Sequence, residues 1–132
     1  MGTTKPTRQF KKHMGKRDDL GIFVRSIWEA NFARYLKYLQ EHGSIKSWAY
    51  KAEEFSFPVK RGTRFYKPDF RVTNNDDSIE YFEVKGYMDA KSAAQLKRMA
   101  LYHPDKKVTV VGEEFFRGLR RQGYHRVISY WE

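Results

Sequence analysis

Two runs decide how this chain folds: Phe65-Tyr66-Lys67-Pro68-Asp69-Phe70-Arg71-Val72, and Ile79-Glu80-Tyr81-Phe82-Glu83-Val84-Lys85-Gly86. Between them stands Thr73-Asn74-Asn75-Asp76-Asp77-Ser78, a cluster of turn-forming residues. Aromatic and β-branched residues on both sides of a polar turn predict strand, turn, strand, most simply a hairpin ended by Gly86. A strand's side chains alternate, so Asp69, Arg71 and Thr73 face one way while Phe70 and Val72 face the other. On the second strand Tyr81, Glu83 and Lys85 share a face opposite Phe82 and Val84. Each strand thus offers an apolar face to a core and a charged face elsewhere. If the charged faces coincide, Asp69 and Glu83 converge on neighbouring strands, with Lys85 two residues along. Carboxylates so placed repel one another unless a cation joins them, and a hard divalent ion such as Mg²⁺ suits oxygen ligands.

Outward from the hairpin, a helical period runs upstream from Ser26 through Trp28, Phe32, Tyr35, Leu36 and Leu39, and stops at Gly43. Glu29 stands roughly 100° around from Trp28, at the margin of that apolar stripe. Trp48 to Val59 reads as extended, and Pro58 with Lys60-Arg61-Gly62-Thr63 reads as a loop. Downstream, Asp89 can cap a helix over Ala90–Tyr102, closed by Pro104. Lys107–Val111 reads as a short strand, Glu113–Arg121 as a short helix stopped by Gly123, and Arg126–Tyr130 as a last edge strand. Glu113 and Glu114 suit a helix's first turn. Tyr124, Tyr130 and Trp131 are left with two roles open, covering a sheet edge or meeting a second subunit. Helices interspersed with strands predict a layered α/β domain whose central sheet is covered by helices.

The chain has 132 residues, 40% of them hydrophobic, with 26 basic and 16 acidic side chains and a net charge of +10. That length suits one domain. The absence of cysteine excludes a disulfide scaffold, a zinc ribbon, an iron–sulfur centre and thiol chemistry. No apolar run approaches the roughly 20 residues of a membrane span. Met1-Gly2-Thr3-Thr4-Lys5 leads into no apolar segment, so no secretory signal is expected and the expected location is the cytoplasm. Residues 1–17 hold Lys5, Arg8, Lys11, Lys12, Lys16 and Arg17 and no acid. Residues 1–19 are accordingly expected to be a basic, flexible arm that binds a polyanion, with one folded domain over 20–132. Lacking an apolar face to insert in a membrane, the arm points to nucleic acid.

Tyr66-Lys67-Pro68-Asp69-Phe70 followed by Phe82-Glu83-Val84-Lys85-Gly86 resembles the signature of the PD-(D/E)XK nuclease superfamily. Thirteen residues lie between Asp69 and Glu83, a usual separation for that hairpin. Within the superfamily the chain looks most like phage junction resolvases of the endonuclease I type, and somewhat like transposon nucleases of the TnsA type. The likeness runs from Ser26-Ile27-Trp28-Glu29 to about Val111. It implies a restriction-endonuclease-like three-layer domain with a central mixed β-sheet flanked by helices. By the same likeness Asp69 and Glu83 match the metal-binding carboxylates, Lys85 the family lysine, and Glu29 the first-helix glutamate that completes the metal site. The Val84 carbonyl is a further ligand the likeness implies. The implied cofactor is Mg²⁺, with Mn²⁺ as a substitute. The implied reaction is phosphodiester hydrolysis leaving 5′-phosphate and 3′-hydroxyl ends, with Lys85 either positioning water or stabilising the pentavalent state.

Basic residues outside that motif mark the expected DNA surface. They are Lys11, Lys12, Lys16 and Arg17 in the arm, Lys60, Arg61 and Arg64 before Asp69, and Lys91, Lys97 and Arg98 on the helix after Gly86. Nothing resembles a reader of base edges. The expectation is a metal-dependent, structure-selective endonuclease that resolves four-way DNA junctions. Because two symmetric nicks need two sites, a homodimer is expected. If phage-encoded, it would work in the host cytoplasm. The alternatives are a nuclease of the same fold that nicks DNA in transposition, repair or packaging, and a non-catalytic basic DNA-binding protein.

Overall fold

The computed structural model describes residues 13–132. Two short strands come first, β1 (Gly15–Arg17) and β2 (Ile22–Val24), then the long helix α1 (Ile27–Glu41). Five strands follow: β3 (Ser47–Tyr50), β4 (Phe55–Ser56), β5 (Phe65–Tyr66), β6 (Phe70–Thr73) and β7 (Ile79–Val84). Helix α2 (Ala90–Tyr102), strand β8 (Val108–Val111) and helices α3 (Glu113–Arg121) and α4 (Tyr124–Val127) complete the chain. The protein is mixed α/β, and its main sheet has the order β3-β6-β7-β8. The first three of these pair antiparallel, whereas β7 and β8 pair parallel with α2 as the crossover between them. Among the described residues no helix is long and apolar enough to cross a membrane.

Both faces of this sheet are covered. On one, α1 and α3 bury Phe32, Ala33 and Leu36 against Phe70, Val72, Val84 and Val111, with Trp28, Phe82, Phe115 and Phe116 packed around them. Phe32 is the hub, its ring 5.0 Å from Phe70, 5.3 Å from Phe82 and 5.6 Å from Phe115, centroid to centroid. The other face carries a second core of Phe55, Phe57, Tyr66, Tyr81 and Met99, contributed by the β4–β5 hairpin, the sheet and α2. The charged face expected for the hairpin is therefore apolar over much of its length. Asp69 and Glu83 sit where that second core gives way to polar side chains.

Local signals explain most elements. Ser26 caps α1 by accepting from the Glu29 N–H at 3.1 Å, and Asp89 caps α2 by accepting from the Ser92 N–H at 2.7 Å. Gly43 takes φ +75° just beyond α1, a conformation glycine adopts without strain.

Four expectations are corrected. First, residues 15–19 do not trail as an arm, because the turn at Asp18–Gly21 folds β1 back on β2. Arg17 is tied to Glu132 at 2.6 Å, and Asp19 to the buried Arg34 at 2.9 Å. Second, the extended run expected over Trp48–Val59 breaks after Tyr50, where Lys51 turns to φ +48° and the chain crosses to another sheet. Third, the strand expected from Phe65 to Val72 is cut at Pro68, which has no N–H to continue a ladder, so β5 pairs with β4 and β6 with β3 and β7. Fourth, Arg126–Tyr130 is not an edge strand. Gly123 turns the chain at φ +83° into α4, whose Tyr124 ring packs edge-on against Tyr35 and Tyr38 of α1. That contact gives Tyr124 its role, on a helix rather than on a sheet edge.

Phe32 is 1% exposed. Replacing it with alanine removes the ring that joins α1 to β6, β7 and α3, and is expected to cost about 3–5 kcal/mol. Urea unfolding of wild type and Phe32→Ala measures this.

Candidate active site

The β6–β7 register places Phe70 opposite Phe82. Continued by one residue, it sets Asp69 opposite Glu83 on the face away from α1. Asp69 is 4% exposed and Glu83 7%. Both line a cleft of about 550 Å³ whose wall also includes Glu29, Lys51, Tyr66, Val84, Lys85 and Lys91.

Each carboxylate has identifiable partners. Asp69 accepts from the Val84 N–H through Oδ2 at 2.9 Å and from the Lys51 ammonium through Oδ1 at 3.1 Å. Glu83 accepts from the buried Tyr66 hydroxyl at 2.9 Å. Glu29 lies at the N-terminal turn of α1, where Oε1 accepts from the Arg25 N–H at 3.1 Å and from the Tyr50 hydroxyl at 2.6 Å. Glu29 therefore does two things at once. Its carboxylate satisfies a backbone donor ahead of the helix, where a negative charge favours the macrodipole, and it adds charge to the cleft.

Asp69 and Glu83 hold their protons more tightly than free carboxylates do. Burial pushes Asp69 above the ordinary carboxylate range and repulsion from Glu29 pushes further, against the lowering pull of Lys51 and the Val84 N–H. Glu83 is pushed up to about 7, first by burial and then by the charge of Asp69, against the Tyr66 hydrogen bond and the charges of Lys85 and Lys51. Burial and Glu83 likewise raise the Tyr66 hydroxyl, so it stays a donor. Tyr50 is raised for the same two reasons, burial and its bond to a carboxylate.

Asp69, Glu83, Glu29, Val84 and Lys85 thus line one cleft, and Lys91 joins them from α2. The remaining basic residues expected at the site lie elsewhere. Lys60 and Arg61 are exposed on the loop between β4 and β5 and do not line the cleft. Arg64 lies over the Phe65 ring at 5.9 Å. Arg98 turns back to donate to the Thr63 carbonyl and packs against Gly62, so it holds that loop. Lys97 points to solvent from α2. Lys16 is exposed on β1, Arg17 is spent on Glu132 and backbone carbonyls, and Lys11 and Lys12 lie outside the described residues. In place of these, the structure brings in Lys51, Tyr50, Tyr66, Arg25 and Lys67. Tyr66 and Lys67 stand within the quoted motif. Lys51 and Tyr50 are found only from the register that pairs Tyr50 with Phe70 and so brings the next residue, Lys51, beside Asp69.

The donor set suits a hard cation: two facing carboxylates in a polar cleft, with a third carboxylate and backbone oxygen nearby. Among the described residues no three His, Asp or Glu side chains stand close enough together to form a complete metal cage. Mg²⁺ does not require one, since it commonly takes one or two carboxylates and completes its shell with water and substrate phosphate. Among known proteins, no family model, no curated protein and no solved structure matches this chain.

Because Asp69 and Glu83 are raised in the fold, their stabilising contribution is complete below the unfolded carboxylate range. The part due to Glu83 is lost as the pH rises through about 7, and the part due to Asp69 as the pH rises through its own raised value. Without divalent cations the wild type is expected to melt lower at pH 8 than this pair allows at pH 4.5. Glu83→Gln keeps an acceptor for Tyr66 and removes the charge. It is expected to raise the melting temperature by about 5 °C at pH 8 and to change it little at pH 4.5. Thermal melts in chelator at both pH values measure the difference.

Proposed function

We propose that the protein is a metal-dependent DNA endonuclease of the PD-(D/E)XK kind, with a restriction-endonuclease-like fold, that cuts branched DNA by hydrolysing paired phosphodiesters. The observation that carries this reading is the pair Asp69 and Glu83, enclosed opposite each other in a cleft lined by Lys51, Lys67, Lys85 and Lys91. Carboxylates alone would repel a phosphate, and lysines alone would bind one without cutting it. Acids at the bottom of a cleft and bases around it suit a phosphate held against a divalent cation.

Asp69 and Glu83 would hold that cation, with the Val84 carbonyl as a further oxygen donor, while Glu29 adds negative charge to the same cleft. Mg²⁺, or Mn²⁺ in its place, supplies Lewis acidity toward a phosphoryl oxygen and acidifies water near neutral pH. Tyr66 keeps the Glu83 carboxylate oriented, and the Val84 N–H does the same for Asp69. Lys85, just beyond the end of β7 in the cleft wall, would orient water or stabilise charge on the phosphoryl group. Gly112 allows β7 and β8 to stay close at this point, since a Cβ there would meet the Lys85 carbonyl at 3.0 Å. Two opposed nicks at a junction need two such clefts, so the working unit in this reading is a homodimer.

With Mg²⁺ the protein is expected to cut a four-way junction in preference to a flap, single-stranded DNA or a linear duplex, and to cut nothing in chelator. Glu83→Gln is expected to lose at least about a hundredfold in cleavage while junction binding persists, and Lys85→Ala to lose a similar amount. A side-by-side digestion of the four substrates tests this. Equal cutting of all four removes junction preference and leaves a general nuclease. Tight binding without any cutting points to a non-catalytic basic DNA-binding protein.

A further inference from the structure

Lys51 is attached to Asp69 twice. Its backbone N–H donates to the Asp69 carbonyl at 2.8 Å, extending the β3–β6 ladder by one bond. Its ammonium then reaches the Asp69 carboxylate at 3.1 Å. Lys51 holds a left-handed backbone at φ +48°, which a lysine adopts only against steric resistance. That turn ends β3 and leaves the side chain beside the cleft. The ammonium also lies 5.5 Å from the Tyr50 ring, and Tyr50 in turn donates to Glu29. One cation therefore stands against Asp69 and next to the aromatic ring that positions the third carboxylate. The Lys51 side chain is 30% exposed, whereas that of Asp69 is 6% exposed. The lysine can thus leave toward solvent, and the aspartate cannot.

We propose that Lys51 is the internal counter-ion of this carboxylate cluster. It neutralises Asp69 when no divalent cation is bound and gives it up when one binds. The inference rests on the reading of Asp69 and Glu83 as cation ligands. Asp69 Oδ1 cannot serve an ammonium and a divalent ion equally well, and any ammonium left nearby repels the ion. Competition and repulsion act in the same direction, so Lys51 weakens divalent binding while it protects the metal-free fold from its own acids. Once displaced, its flexible stem leaves the charge at the mouth of the cleft, where a phosphate oxygen is its natural partner.

The test uses the full chain at pH 8 and two readouts apart from cleavage, Mg²⁺ affinity by calorimetry and the melting temperature in chelator. Lys51→Gln is expected to bind Mg²⁺ about tenfold more tightly than wild type and to melt several degrees lower without it. Lys51→Arg, which keeps the charge, is expected to follow wild type in both. Lys51→Asn, better suited to the left-handed backbone, carries the same expectation as Lys51→Gln and serves if the glutamine variant does not fold. Mg²⁺ affinity that is unchanged or weaker in the uncharged variants overturns the inference and leaves the cation site standing. Binding of Mg²⁺ to neither wild type nor the uncharged variants overturns the cation site, and the inference with it.

Discussion

The pairing of Phe70 with Phe82 across β6 and β7 is the constraint on which the rest of the molecule depends. It places both rings in the core beneath α1, where Phe32 holds them. Strand alternation then directs Asp69, Tyr81 and Glu83 to the opposite face. A slip of one residue in this pairing would turn one strand over, burying its carboxylate under α1 and leaving its phenylalanine in the cleft. Burial of the aromatic side therefore enforces the position of the acidic side. The chemistry of the cleft is held in register by packing that never touches it.

Enclosing those acids has an electrostatic cost, and the surrounding residues act mainly to reduce it. A backbone N–H and an ammonium serve Asp69, a tyrosine hydroxyl serves Glu83, and a second tyrosine with a backbone N–H serves Glu29. The compensation is incomplete, since both Asp69 and Glu83 remain raised. Buried acids left partly uncompensated are a recurrent mark of sites that bind a cation or move a proton. The same imbalance that is expected to lower stability at alkaline pH would favour a divalent ion, so fold stability and proposed activity would depend on the same few atoms.

Much of this was legible in the sequence because it rests on short-range pattern. Period two along Phe65–Val72 and Ile79–Lys85 placed Asp69 and Glu83 on one face, the apolar stripe placed α1, and Asp89 marked the start of α2. What escaped depends on long-range pairing. Nothing near Lys51 announces a strand end, and it meets Asp69 only because Tyr50 lies opposite Phe70. Net charge was also a poor guide to the surface. Arg17 and Arg98 look like free cations in a list of residues, yet one is bound to Glu132 and the other to a loop carbonyl. The basic composition before residue 20 concealed a hairpin, because Asp18-Asp19-Leu20-Gly21 reads as a turn only once Arg17 is seen to pair with Ile22 and Asp19 with Arg34.

The central claim is that Asp69 and Glu83 together form a cation site. Crystals grown or soaked with Mn²⁺ test it most directly, through the anomalous scattering of the metal. The account predicts one strong peak between the Asp69 and Glu83 carboxylates, lost in Asp69→Asn, with Lys51 turned away from Asp69. No peak in this cleft at millimolar Mn²⁺, or a peak there that survives Asp69→Asn, would contradict it.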